Sequence, residues 1–563
     1  MNKFFRKIVF KFKIYRRESV IRAFLSRNKI RANDISKRTD YYDPFYKTLF
    51  NGLLQGIGKK YLINHLYPKI LEEEKNIIKN QKYVLLDLLK NIKNTKVWKK
   101  YWICSILSSK TDIYQEFKEK LPIFDYDTYK TYIEESKEKE NIVRPDKILQ
   151  FSASSGTTSN KKHIPVSSES LLSASKAGAY MFAEYSFKHP NTKIFKWEFF
   201  PLIWTIQYHD DKITIADISA LLLLDRWRFA KKRYALDLFQ LLHPEREIKR
   251  EIALKHINPH KPITMMWVTS RAYEILNYIQ KRDSKMFDIM IKNMEVIFGG
   301  GVDVAPYIQY LKKLNLNYMW VYNASEWYFW YQDIINYDNS DWKSPYKFLT
   351  NHWVFYEFLE FNSDNFDEDW NCKKISEAKA IRNITKEDIN KKFALIITTN
   401  SGLVRYMIWD VIQFVDEKLR YKITGRTRQS LNLKWEELME THIGAVIQEL
   451  SNQHNINIIY YTIWPDQEEN PTKHQRVVET DTEINISEQE LAQKIDKILQ
   501  KINADYEAKR NNDILLKLPQ ITLVSQWSFY QRLKKSNRLW AQIKVPKLSS
   551  KRNYIEEVLK IAK

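Results

Sequence analysis

The sequence predicts an α/β fold in two parts, a large N-terminal domain of mixed sheets and helices followed by a smaller α+β domain. Three observations predict it. From about residue 148, short apolar runs of strand length alternate with helical stretches. Near residue 424 a turn-like TGRTRQ interrupts that pattern, and a shorter set of helices and strands follows. The 563 residues are 44% hydrophobic and 14% aromatic, which supplies a large core and excludes a mainly disordered chain.

The elements follow in order. Residues 1–60 read as a basic helical arm and its connection, with eleven Lys or Arg and one acid in residues 1–31. Its apolar residues recur at helical spacing, which suits a membrane surface or, more simply, a solvated or partner-packed helix. Residues 61–92 carry apolar residues at i, i+3 and i+4, a helical signature. Residues 193–204, 261–270, 294–304 and 391–400 read as buried strands, and 270–283 as a helix between two of them. Beyond the turn, 436–452 and 487–506 read as helices and 456–464, 474–484 and 518–525 as strands. The resulting units are 1–60, 61–425 and 426–563.

Composition excludes several classes. No apolar run approaches the ~18 residues of a membrane span, and charges interrupt the N-terminus too often for a secretory signal. Two cysteines, Cys104 and Cys372, make neither a disulfide framework nor a zinc site. A cytoplasmic protein is the expectation. The net charge of +23, from 91 Lys and Arg against 68 Asp and Glu, is compatible with a nucleic-acid partner. The lysines are scattered among acids, as the Lys, Asn and Ile bias of an AT-rich gene gives, so no specific nucleic acid is expected.

Four segments carry candidate chemistry. In FSASSGTTSNKKHIP, Ser154, Ser155, Gly156, Thr157 and Thr158 gather small and hydroxylated residues in one loop, with Lys162 beyond. Such a loop can present N–H groups, hydroxyls and one ammonium to phosphate, or it can be a Ser/Thr-rich surface turn; it lacks the P-loop spacing. In VYNASEW, Glu326 is placed to meet a magnesium ion or simply water. In SGLVRYMIWDVIQFV, Asp410 lies inside an apolar strand and needs a partner, such as a ribose hydroxyl. In ITGRTRQSLNLKWEELME, Arg426 sits at the suspected boundary.

Together and in this order, the segments resemble the auxin-responsive (Gretchen Hagen) family of acyl-acid amido synthetases and their bacterial relatives, within the adenylate-forming superfamily of acyl-CoA synthetases and luciferases. The family's SSGTTxGxxKxIP is matched by Ser154–Thr158, Lys162, Ile164 and Pro165, one residue short and with Asn160 at the second glycine. Its YxxSEG is matched by Tyr322, Ser325 and Glu326, and its YRxGD loosely by Arg405 or Tyr406 and well by Asp410. Its GRTxxxxNxxGEEL is matched by Gly425, Arg426, Asn432, Glu436, Glu437 and Leu438, and FGGGVDVAPY is similar to its adenine-side loop. The resemblance spans about residue 60 to the C-terminus. It implies that ATP and a carboxylic acid form an acyl-adenylate, which an amine, commonly an amino acid, converts to an amide. It also implies roles. Ser154, Ser155, Gly156, Thr157, Thr158 and Lys162 hold phosphates, and Gly299, Gly300 and Gly301 admit adenine. Tyr322 and Ser325 contact nucleotide, Glu326 holds Mg²⁺ and Asp410 binds ribose. Arg426 lies at the hinge of a mobile C-terminal domain, and Lys544 is carried by that domain to the acyl phosphate. The alternatives are an AMP-forming acyl-CoA ligase with the same first half, or a degenerate adenylate-fold binding protein.

The chain departs from the family in one systematic way. It has 11 glycines and 17 tryptophans, and Trp327, Trp409 and Trp435 stand where the motifs have glycine. Trp98, Trp102, Trp267, Trp353, Trp527 and Trp540 follow the same pattern, with Trp204 and Trp330 as further cases. A bulky residue forced into a glycine conformation costs about 1–3 kcal/mol, so about ten such sites would exhaust the ~5–15 kcal/mol stability of a domain. The expectation is that these tryptophans are UGA codons translated as Trp where the source organism inserts glycine; the rival is a real paralogue that has lost adenylation.

Overall fold

The computed structural model describes residues 58–562 apart from short stretches, the longest being 154–161, 333–344, 428–437 and 536–544. Three sheets form the larger part. The smallest has the order β2-β1-β5-β4, from β1 (Gln150–Ala153), β2 (His163–Pro165), β4 (Ile206–His209) and β5 (Thr214–Ala216). The second is β3-β6-β7-β8-β9, from β3 (Glu198–Pro201), β6 (Ile263–Val268), β7 (Met294–Gly300), β8 (Asn317–Asn323) and β9 (Tyr328–Tyr331). Its first four strands are parallel, and β9 returns antiparallel on β8. The third, β11-β10-β12-β13-β14, is antiparallel throughout: β10 (Val354–Glu360), β11 (Lys379–Ala380), β12 (Lys392–Thr399), β13 (Tyr406–Phe414) and β14 (Tyr421–Arg426).

The helices around them start and face as their sequences dictate. In α1 (Ile77–Ile92), Val84, Leu85, Leu88, Leu89 and Ile92 form one buried stripe. Gln81, also buried, donates to the carbonyls of Thr350 and Val354 at 2.8 Å and accepts from Tyr356 N–H, which stitches α1 to β10. Asp125 caps α2 (Tyr126–Glu138) in a reciprocal box with Thr128, and Ser167 caps α3 (Ser168–Lys188) through Ser170 N–H. Next come α4 (Arg246–His256) and α5 (Thr269–Arg282), the latter packed after β6 as the predicted 270–283 helix.

A separate core begins at Leu438 and includes Ile443, Val446, Leu450, Leu491, Ile495, Leu499 and Ile521. It joins α6 (Glu440–His454) and α7 (Glu488–Ile502) to the sheet β15-β16-β17, made of Ile458–Pro465, His474–Thr480 and Gln520–Val524. The short α8 (Ser528–Lys535) carries this unit back toward α4.

Several sequence expectations are corrected. The 61–92 helix opens as a π-turn at Leu62–Leu66 and breaks at Asn76, where ψ leaves the helical region. Only Glu198–Pro201 of the predicted 193–204 strand pairs, because β6 offers it four partners, Ile263–Met266. The 487–506 helix ends at Ile502, where Asn503 turns extended and caps the next turn through Tyr506 N–H. TGRTRQ is not a free turn at its start: Thr424, Gly425 and Arg426 are β14 residues, the last two paired with β13 and Thr424 bulged before them. The basic arm lies almost wholly in residues 1–57, outside the described residues. No described helix is long and apolar enough to cross a membrane.

Candidate active site

The site is built where β13 is irregular. Between Ala394↔Val411 and Ile396↔Met407 the register slips by two residues, so Ile408, Trp409 and Asp410 bulge opposite Leu395. A second bulge, at Thr424 on β14, sits between Val411↔Gly425 and Ile412↔Ile423. Bulges re-aim side chains. Here they bring Asp410 directly opposite Arg426, and the two form an ion pair at 2.7 Å with Asp410 8% exposed. From the parallel sheet, the Tyr322 hydroxyl at the end of β8 donates to the other Asp410 oxygen. Three residues from three separate sequence motifs thus meet.

Glu326 belongs to the same neighbourhood. It lies in the turn between β8 and β9, closed by Ala324 N–H on the Trp327 carbonyl at 2.9 Å. The Tyr406 hydroxyl is held well above its ordinary value, first by burial and then by the negative charges of Glu326 and Asp125, with Arg426 acting the other way. That hydroxyl makes no hydrogen bond among the described residues. Lys162 approaches from the third direction, 5.5 Å from the centre of the Tyr126 ring, and the Tyr126 hydroxyl accepts from His163 N–H at 2.9 Å.

The remaining expected residues sort as follows. Ala153 and His163 pair across β1 and β2, so both ends of the Ser/Thr loop are fixed. Ser154, Ser155, Gly156, Thr157 and Thr158 lie outside the described residues, as does Lys544. Ser325 is beside Glu326. Gly299 and Gly300 end β7, and their bareness serves the fold itself: a Cβ would meet Thr269 Oγ1 at 2.4 Å at the first and the Val321 carbonyl oxygen at 2.1 Å at the second. Gly301, just beyond β7, is one strand from β8 and Tyr322. Arg405 turns away from the site. It is fully buried on Glu357 at 3.1 Å, with its guanidinium also donating to the Lys118 and Leu121 carbonyls. No spacing in the sequence signalled that partner, 48 residues upstream.

The tryptophans divide too. Trp102, Trp353, Trp409 and Trp527 have φ of 56°, 55°, 67° and 75°, the left-handed region where a bulky residue is an outlier. Trp327 is buried, with its indole N–H unpartnered among the described residues. Trp98 differs from all of these. It is fully buried on an ordinary backbone, donates to the Val143 carbonyl at 3.0 Å and packs edge-on against Phe124. Trp435 and Trp540 lie outside the described residues.

Among solved structures, an acyl acid amido synthetase, GH3.15, is 15% identical with a TM-score of 0.68, over 88% of this chain and 94% of its own. A 2-hydroxyisobutyryl-CoA ligase in its postadenylation state, complexed with an acyl-AMP, is 8% identical with a TM-score of 0.51, over 87% and 92%. These likenesses show the fold. A comparison with curated protein sequences returns no match. The GH3 family N-terminal, central and C-terminal domains match residues 67–234, 347–420 and 441–553 in that order. With its three domains each matched in sequence, and with Tyr322, Asp410 and Arg426 drawn together from the motifs between and within them, the chain belongs to the GH3 family.

Proposed function

We propose that the chain is an ATP-dependent acyl-acid amido synthetase. In the first half, a carboxylate oxygen attacks the α-phosphorus of ATP and pyrophosphate leaves. In the second, an amine nitrogen attacks the acyl carbonyl, loses its proton, and AMP leaves. Neither half needs a protein nucleophile; both need charge neutralised and reactants aligned. The observation that carries this reading is the Tyr322–Asp410–Arg426 cluster within a GH3 chain.

Asp410 offers its carboxylate to the ribose hydroxyls, held in place by Arg426 and Tyr322. Arg426 is the last residue of β14 and precedes the second core, so the same side chain that orients Asp410 sits where the C-terminal unit would turn. Lys162 and the Ser/Thr loop would take the phosphates. A magnesium ion would neutralise phosphate charge. Glu326 would hold it together with nucleotide oxygens and water, a set that suits Mg²⁺. Lys544 would contact the acyl phosphate. Cys104 and Cys372 are not disulfide-bonded, which suits a cytoplasmic enzyme.

The test is acid-dependent pyrophosphate release across a panel of carboxylic acids, followed by product analysis with amines and with coenzyme A. Amide formation supports the reading; thioester formation alone makes the chain an acyl-CoA ligase. One observation favours a second reading. With tryptophan at 409, the indole stands on strained backbone beside Asp410, and the chain then becomes a nucleotide-binding relative without turnover. ATP binding without pyrophosphate release would establish it.

A further inference from the structure

At the carboxyl ends of β3 and β6, a small cleft opens between Phe200–Thr205, α4 and α5. Ligands of α/β sheets bind at such strand ends. Its charged lining is Arg246, Lys249, Arg250, Arg271 and one acid, Glu274. Glu274 is shared by Arg271 at 2.8 Å and Arg250 at 3.3 Å. Lys249 donates to the Ile203 carbonyl at 2.7 Å, and burial draws its ammonium down to about 7 against the pull of Asp217. The Nε atoms of Arg246 and Arg250 are buried and make no hydrogen bond among the described residues. Guanidinium groups packed into a cleft with donors to spare are a carboxylate site in search of its anion.

The cleft is also at the seam between the two units. The Tyr530 ring of α8 lies 5.9 Å from the Arg246 guanidinium and 5.8 Å from that of Arg250, and its hydroxyl donates to Glu247. The cleft shares an edge with Tyr322, with β7 between β8 and the cleft's β6 side, a separation of about 10 Å from β6 and about 14 Å from β3 at the usual strand spacing. The Tyr322–Asp410–Arg426 cluster is therefore elsewhere on that edge, and the cleft is open to a reactant other than ATP.

Resting on the amido synthetase reading, we propose that this cleft selects an acceptor amine carrying two acid groups, with Arg246, Arg250 and Arg271 as its specificity determinants. Three guanidinium groups facing one carboxylate leave more positive charge than a single acid group offsets. Trp204 packs between Arg271, at 4.2 Å, and Arg246, at 5.7 Å. Glycine there would widen the cleft and leave its cations in place.

The experiment compares the full chain with Arg246→Gln, Arg271→Gln and Arg271→Lys. Amide formation is measured with a dicarboxylic amino acid, its side-chain amide and glycine, and acid-dependent pyrophosphate release is measured without amine. The expected result is a KM at least ten-fold lower for the dicarboxylic acceptor, lost in both Gln variants and partly restored by Lys. The mono-amide KM rises by a smaller factor, and pyrophosphate release without amine reports the first half-reaction separately. Equal KM values for all acceptors in the parent chain, an equal shift for the mono-amide, or a shift in the KM of the acyl acid or ATP would each overturn the proposal. Titration calorimetry of the dicarboxylic amino acid onto the same chains gives a readout independent of adenylation. Binding that Arg271→Gln removes supports the cleft even if no acid releases pyrophosphate, an outcome that would reject the amido synthetase reading; absence of binding together with absence of preference rejects the cleft.

Discussion

Position 409 carries an indole on backbone at φ 67°, inside the bulge that aims Asp410. A left-handed residue with a side chain costs roughly 1–2 kcal/mol that glycine does not incur. Trp102 isolates the effect, because at φ 56° and 72% exposure its ring packs on little. Trp102→Gly should raise stability by about 1 kcal/mol, read as a higher denaturant midpoint with unchanged slope. Trp98→Gly should do the reverse, losing at least the ~3–5 kcal/mol typical of a buried Trp truncated to Ala. The sequence showed the glycine deficit and named both residues together. It did not separate them, because a motif position says which residue a family prefers there, whereas φ and the Val143 hydrogen bond say which residue this backbone holds. Asp410 was legible as a buried charge in need of a partner. Its partners were not, since the Asp410–Arg426 contact depends on two bulges that leave no mark in composition. Asp410→Asn should leave the fold intact, as Arg426 is 40% exposed, and should lower acid-dependent pyrophosphate release on the order of 10²-fold; an unchanged rate would remove Asp410 from the site.

At the scale of elements, the strands with continuous apolar runs were readable: β6, β7, β12, β16 and β17 lie within the predicted segments, and β15 overruns its segment by one residue, Pro465. β10 was not, because VFYEFLE places Glu357 in the middle of a run. The structure shows why an acid is tolerated there: Glu357 is fully buried against Arg405, with Tyr114 donating to it at 3.4 Å. Removing one partner leaves the other charge buried and alone. Arg405→Met should therefore destabilise by about 3–5 kcal/mol, while Arg405→Met with Glu357→Leu should cost less than the sum of the two single changes. The second core has its own buried charge. Burial pushes the Asp496 carboxyl up, but hydrogen bonds from Arg510 and Tyr506 outweigh it and hold the group below its ordinary value. A carboxyl depressed in the folded state contributes stability that is complete above the unfolded value, near 3.8, and is lost as pH falls through the folded value. Acid titration of the parent chain should show that loss below about pH 4, and Asp496→Asn should remove it; an identical acid profile in the two proteins would contradict it.

The whole molecule joins two cores through β14 and the short segment after Arg426, with the Tyr322–Asp410–Arg426 cluster and the cationic cleft beneath α8 both at the carboxyl edge of the parallel strands. The division into a large and a small unit was visible where the apolar pattern restarts. The seam was not, since Tyr530 and Arg246 lie far apart in sequence and no spacing links them. This arrangement suits two successive half-reactions on one scaffold: the acid and ATP first, the amine second. The most direct test of it uses the chain with glycine at positions 102, 327, 353, 409 and 527, incubated with ATP, magnesium and a panel of carboxylic acids, with and without amines. Pyrophosphate release that depends on the acid, followed by amide that depends on the amine, is the result predicted. A folded chain that binds ATP yet releases no pyrophosphate with any acid would contradict it.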